Sequence, residues 1–222
     1  MPATLVGAVP GVREDARVEL GEVLRRRRMV RAYDGRPVGA AALERVLSAG
    51  LRAPSAGNSQ GRDLLVLRSA RERADFWELT TRGRPGPPGA WLRGMRTAPV
   101  LVLLLADPDA YAERYALPDK PGPDRDADTW EVPWPDVDTG MSGLLMLLAA
   151  VDEGLGACLF GVPSAARGAL RARFAVPAGH RFVAAVSLGH PAPGEASRPS
   201  RPQRRTLADS AHDGRFGAPW RG

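Results

Sequence analysis

The apolar positions of this chain fall into short blocks divided by Pro, Gly and charge, and their spacing predicts both helices and strands. Leu20, Val23 and Leu24 recur at helical spacing within residues 18–29. They predict a first helix closed by the four arginines at 25–28, where positive charge suits the C-terminal end of the helix dipole. A second helix is predicted over 40–51, with Leu43, Val46, Leu47 and Leu51 on one stripe, and Pro54 forbids its continuation. A polar loop follows, Ser55-Ala56-Gly57-Asn58-Ser59-Gln60-Gly61, and then a short apolar run at 64–67 that reads as a buried strand.

Residues 70–79 are predicted helical, 82–89 form a Gly- and Pro-rich loop, and 100–105 is the clearest central strand. A short helix is expected over 107–115 with Asp107 as its cap. Residues 117–135 hold five prolines and read as a long irregular excursion; its length, with Trp130 and Trp134, suggests a lid. The segment 139–153 is apolar nearly all round and predicts a helix buried on most sides. Strands are expected at 157–160 and 182–188, separated by a helix near 164–174. Helices and strands do not alternate strictly and there are no internal repeats, so the fold class is α+β rather than a doubly wound sheet. The predicted organisation is a flexible arm over 1–14, one domain over 15–195, and an extension over 196–222 that wraps over something rather than packing alone.

Composition narrows the functional classes. The chain has 222 residues, 44% hydrophobic and 25% charged, which suits a globular domain with a sizeable core. Cys158 is the single cysteine, so no intrachain disulfide can form. The strongest apolar stretches, 99–106 and 141–151, are shorter than the roughly 20 residues of a membrane helix, and no secretory signal pattern is present; a cytoplasmic protein without a membrane partner is predicted. The net charge is +6, but Lys120 is the only lysine and arginine is spread along the whole chain. A bias of that kind points away from a nucleic-acid footprint.

Two features carry candidate chemistry. One is the cluster Arg27-Arg28-Met29-Val30-Arg31 at a helix end; guanidinium groups offer a phosphate charge-assisted, often bidentate hydrogen bonds. The other is the loop from Pro54 to Gln60, whose Ser, Asn and Gln supply donors and acceptors for a flat heterocycle while Gly57 allows close backbone approach. Together they would suit a phosphorylated, ring-bearing cofactor. Taken singly, the arginines also read as a solvated helix end.

The runs "RRRMVRAYDGRPV" and "LERVLSAGLRAPSAGNSQGRDLLVLR" resemble the N-terminal signature of the nitroreductase family of FMN-dependent enzymes. "GLLMLLAAVDEGLGACLFG" is similar to the family's buried helix and the strand after it, and "RFVAAVSLGHPAP" followed by "RRTLAD" resembles its last core strand and C-terminal extension. The resemblance implies a mixed sheet flanked by helices, a homodimer with two FMN sites at the subunit interface, and C-terminal extensions that embrace the partner. It implies that Arg27, Arg28 and Arg31 hold the FMN phosphate and ribityl region, with Met29 contributing backbone. Pro54, Ser55, Ala56, Asn58 and Gln60 would lie along the ring and ribityl chain. Leu159, Phe160 and Gly161 would present backbone to the ring's reactive edge, Arg204 and Arg205 would reach the phosphate, and Asp138 would sit near the cofactor. The implied reaction is hydride transfer from NADH or NADPH through the flavin to a small organic acceptor, such as a nitroaromatic or a quinone, with ping-pong kinetics. No side-chain acid or base is assigned.

The sequence departs from the family pattern at Met29, where serine is frequent, and at Gln60-Gly61-Arg62, where Gln-Pro-Trp is common; segment 80–137 matches only loosely. Reductive dehalogenation, enone reduction and flavin breakdown also belong to the family's range. Two readings of other classes compete. Gly57-Asn58-Ser59-Gln60-Gly61 fits the G-x-S-x-G of a serine hydrolase, but that elbow needs a strand before it and a helix after, the reverse of the predicted order. An anion- or nucleic-acid-binding protein would use the arginine run, yet no stacking platform or reading helix accompanies it. Gly154-Leu155-Gly156 precedes a strand and lacks a third glycine, so it is no dinucleotide fingerprint. His180, His190 and His212 are scattered, and Cys158 reads as a small core residue, so no metal site is predicted.

Overall fold

A computed structural model of the chain describes residues 19–120, 130–194 and 205–220. Its centre is a four-stranded antiparallel sheet made of β1 (Arg62–Leu67), β2 (Val100–Ala106), β3 (Gly156–Phe160) and β4 (Arg181–Gly189) in the order β1-β2-β4-β3. Every residue of β2 is buried. Val100, Val102 and Leu104 belong to one core and Leu101, Leu103 and Leu105 to the other, as side chains alternate between the faces of a strand. A strand covered on both faces has no solvent side to mark with polar residues, which is why VLVLLLA shows no alternation.

One face is covered by α2 (Ala40–Leu51) and α6 (Trp134–Asp152). These two helices approach closely because Gly50 lacks a side chain: a Cβ there would lie 2.8 Å from Met146 Cγ. Ser142 Oγ donates to the Gly50 carbonyl at 2.7 Å, and Arg45 grips Glu153 with two hydrogen bonds of 2.6 and 2.7 Å. The opposite face carries α3 (Ala70–Thr81), α4 (Ala90–Met95) and α7 (Arg167–Phe174), which bury Phe76, Trp77, Met95 and Leu170 against Leu101, Leu103 and Phe182. Each fully buried side chain of this size contributes roughly 1.5–3 kcal/mol by leaving water. α1 (Leu20–Arg26), α5 (Pro108–Tyr115) and α8 (Leu207–Ser210) complete the described elements.

The mixed α+β architecture agrees with the sequence, and α2 has the predicted bounds. Three local differences have physical causes. α1 ends at Arg26, so Arg27 is its cap and Arg28 lies beyond it in extended chain. α6 begins at Trp134 rather than at 139, because proline is tolerated in the first helical turn and Pro135 starts this helix instead of blocking it. α4 was not anticipated; glycines and prolines on its N-terminal side hide six residues anchored by buried Leu92 and Met95. The arm at 1–14 and part of the extension lie outside the described residues, as do 121–129 of the segment expected to form a lid.

Candidate functional site

After α1 the chain runs along the edge of the sheet. Val30 N–H donates to the Ala157 carbonyl at 2.9 Å and Met29 pairs with Ala157 in a parallel bridge. Gly156 permits this, since a Cβ there would fall 2.8 Å from Val30 Cγ1. The strap 27–31 thereby flanks a cleft of about 670 Å³ lined by Arg25, Arg26, Arg27, Arg28, Met29 and Arg31, and closed by Leu147, Val151, Gly154 and Ala157. Glu22 pairs with Arg25 and Arg26. Arg27 and Arg28 have no carboxylate partner among the described residues, so their charge is available to an anion in the cleft.

The polar loop has a different construction. Ala56–Asn58 form a single 3-10 turn, and Gly57, Asn58 and Gln60 all adopt left-handed backbone, with φ of 62°, 56° and 55°. Gly57 suits that conformation; Asn tolerates it and Gln does so only under constraint. Ser55 Oγ accepts from Gln60 N–H at 2.9 Å, Asn58 N–H donates to the Ser55 carbonyl at 2.8 Å, and Ser59 Oγ donates to the Ala56 carbonyl at 2.7 Å. Asn58 and Gln60 stay exposed. The loop follows a helix and precedes β1, and the Ser59 hydroxyl is spent within the loop, which is not the setting of a hydrolase nucleophile.

Behind the loop lies Asp138, 2% exposed, on the second turn of α6. Its Oδ2 accepts from Ala56 N–H and from the Tyr111 hydroxyl, both at 2.8 Å. Burial, reinforced by the Asp138 carboxylate, pushes the Tyr111 phenol far above its ordinary pKa, so the hydroxyl stays a donor. Arg62 sends Nη2 to the Leu51 and Ala53 carbonyls, both at 2.7 Å, and Arg114 Nε donates to the Gly57 carbonyl at 2.9 Å. Tyr111 and Arg114 gave no signal in the sequence, and Arg62 stood out only as a departure from the family pattern, because each is an ordinary residue until the fold brings it under the loop.

The structure gathers the candidates into two groups rather than one. Arg27, Arg28, Met29 and Arg31 sit at the C-terminal end of α6, beside Leu147 and Val151. Pro54, Ser55, Ala56, Asn58 and Gln60 sit at its N-terminal end, tied to Asp138. From Asp138 to Val151 is about 20 Å along a helix rising 1.5 Å per residue. Leu159, Phe160 and Gly161 close β3: Leu159 packs toward α6, while the Phe160 ring stacks on Trp77 at 5.6 Å and meets Trp91 at 6.0 Å. α4 bridges this region and the arginine strap, for a Cβ on Gly94 would collide with the Arg31 carbonyl. Arg205 precedes α8, whose cap is Thr206, donates its guanidinium to the Asp209 carbonyl, and does not line the cleft; Arg204 lies outside the described residues. His180 is less isolated than its sequence position suggests, since Nε2 lies 2.8 Å from Asp63 Oδ2.

Comparison with known proteins places this arrangement. The family model for the nitroreductase family matches residues 24–190, a span that includes the arginine strap, the polar loop, α6 and all four strands. The chain belongs to the nitroreductase family. No curated protein matches it. Among solved structures, a nitroreductase from Desulfovibrio desulfuricans in complex with FMN is 28% identical, with a TM-score of 0.66 over 89% of this chain and 97% of that one. A nitroreductase from Bacteroides fragilis with bound FMN is 20% identical, with a TM-score of 0.61 over 88% and 98%. An NADH oxidase from Clostridium acetobutylicum is 24% identical, with a TM-score of 0.57 over 78% and 89%. The last two show shared fold alone. The long helix α6 lies on one face of the sheet, whose four described strands are all antiparallel rather than mixed as the resemblance implied; the one parallel pairing among the described residues is the isolated Met29–Ala157 bridge of the strap. No described helix is long and apolar enough to cross a membrane.

Proposed function

We propose that this protein is an FMN-dependent oxidoreductase that acts as a homodimer in the cytoplasm, with NADH or NADPH as hydride donor and a small organic acceptor. The observation that carries the reading is the arginine-lined cleft at one end of α6, where Arg27 and Arg28 have no carboxylate partner among the described residues, set against the polar loop at the other. The D. desulfuricans nitroreductase, built on the same fold, is in complex with FMN. FMN, when bound, supplies the hydride chemistry, and the residues of this chain bind and orient it. Arg27, Arg28 and Arg31 offer guanidinium donors to its phosphate, with Arg204 and Arg205 of the extension as further candidates. Asn58 and Gln60 present exposed amides to the ring and ribityl chain, and the backbone at Leu159, Phe160 and Gly161 borders the reactive edge.

One cofactor cannot touch both groups within one protomer if about 20 Å of helix separates them. A second copy resolves this. α6 leaves an apolar stripe at Val137, Met141, Leu144 and Leu148, with Val137 39% and Leu144 49% exposed, at the i, i+4, i+7 spacing of a packed helix face. Pairing across that stripe covers it, and it sets the arginine strap of one subunit against the polar loop of its partner. A donor and an acceptor that take turns over one ring face predict ping-pong kinetics. The acceptor class rests on family membership, with a nitroaromatic or a quinone as the first choices.

The test is an absorption spectrum of the purified protein, followed by heat release of its chromophore and anaerobic addition of NADH or NADPH. Flavin bands, released FMN and bleaching by a nicotinamide are expected. A colourless protein that also fails to bind added FMN would overturn the proposal.

A further inference from the structure

The 54–60 loop has strained backbone beyond its internal hydrogen bonds. Two of its three left-handed residues, Asn58 and Gln60, carry side chains, and a left-handed backbone is strained for Gln in particular. Backbone of that kind persists only where the surroundings over-determine it. Three buried polar groups from three different elements supply the surroundings. Arg62, 8% exposed at the start of β1, ties down the Leu51 and Ala53 carbonyls on the chain entering the loop. Asp138 takes the Ala56 N–H at its centre. Tyr111, with no exposed surface, fixes the Asp138 carboxylate from α5. Gly61 makes room for it: a Cβ there would lie 2.5 Å from the Asp107 carbonyl and 2.6 Å from the Tyr111 ring. The departure of Gly61-Arg62 from the family's Pro-Trp and the presence of Tyr111 are therefore two sides of one packing solution.

We infer that Asp138 is a positioning residue: its buried carboxylate, braced by Tyr111, holds the 54–60 loop in the shape that receives the flavin, and it acts through the loop instead of touching the cofactor. This rests on the reading of that loop as part of an FMN site. Both bonds of Oδ2 are spent on Ala56 and Tyr111, so the carboxylate braces the back of the loop while Asn58 and Gln60 present its front.

The full-length protein is tested by titrating the apoprotein with FMN, followed by flavin fluorescence, and by amide hydrogen exchange at residues 56–60. Asp138→Ala is expected to weaken FMN binding about tenfold or more and to speed exchange across the loop, because the Ala56 N–H loses its acceptor. Tyr111→Phe, which keeps the ring and folds, is expected to weaken binding about threefold to tenfold. Asp138→Asn, whose amide oxygen can accept both bonds, should recover most of the loss. FMN affinity and loop exchange like wild type in Asp138→Ala, with only the melting temperature lowered, would overturn the inference and leave Asp138 a plain core group. If the wild type binds no FMN, the reading of function fails, and exchange at 56–60 alone still decides whether Asp138 shapes the loop.

Discussion

The two ends of α6 solve opposite problems. At the C-terminal end, Arg25 and Arg26 of α1 and Arg27, Arg28 and Arg31 of the extended strap line an open cleft. At the N-terminal end, Asp138 and Tyr111 are buried and bonded to one another and to the loop. In the proposed function, the first end keeps its charge for the phosphate of a bound cofactor. The second uses its charge internally, where low dielectric strengthens each satisfied bond and makes each broken one costly. A binding group and a shaping group thus differ in burial more than in residue type, and they should fail differently when changed.

The largest effect is expected from Leu144→Arg, which places a charge in the exposed stripe of α6 without touching either end. Sedimentation should show loss of the dimer, and FMN affinity should fall by about 100-fold or more, since both halves of each site are then parted. A monomer that still binds FMN tightly would break the two-subunit account. Next, Tyr111→Ala should destabilise the folded protein by about 3–5 kcal/mol through cavity formation and a stranded carboxylate, read from urea unfolding. By contrast, the double change Arg27→Ala and Arg28→Ala should leave unfolding within about 0.5 kcal/mol of wild type. It should nevertheless weaken FMN binding by roughly 10- to 150-fold, the equivalent of losing charge-assisted bonds to a phosphate. Equal stability losses at both ends would erase the distinction.

The smallest effect lies away from α6 and calibrates the others. Ser69 and Glu72 cap α3 reciprocally: Ser69 Oγ accepts from Glu72 N–H at 3.1 Å, and Glu72 Oε2 accepts from Arg68 and Ser69 N–H, each at 2.9 Å. These backbone bonds hold the Glu72 carboxyl below its usual 4.5. A carboxyl depressed in the folded state adds stability above its unfolded pKa and loses it as pH falls through the folded one. Glu72→Gln should therefore cost about 1 kcal/mol or less at neutral pH, with the gap to wild type closing in acid. A gap unchanged by pH would show that the ionised carboxylate contributes nothing beyond the cap.

How much of this was legible in the sequence follows from the range of the interactions concerned. The stripe at Leu43, Val46 and Leu47 announced α2 because helical periodicity is local, and the run at 100–105 announced a two-sided strand for the same reason. The arginine cluster and the 54–60 loop stood out by residue type, and the loop's place after a helix and before a strand argued correctly against a hydrolase elbow. α4 escaped because six residues behind a Gly- and Pro-rich stretch show too little periodicity. The Asp107 cap was readable, as Asp before Pro at a helix start is a local signal, whereas its neighbour Tyr111 gave no sign of reaching Asp138.

The sequence by itself determined the α+β class, most of the elements, the membership signature and the residue types suited to a phosphorylated, flat cofactor. Those properties depend on neighbours in the chain. Only the tertiary structure decided that the arginines and the polar loop lie at opposite ends of one helix, that Asp138 faces a loop backbone, and that an apolar stripe of α6 is left exposed. Which partner a buried carboxylate meets is set by packing between residues such as Ala56, Tyr111 and Asp138, far apart along the chain, and no local pattern encodes that distance.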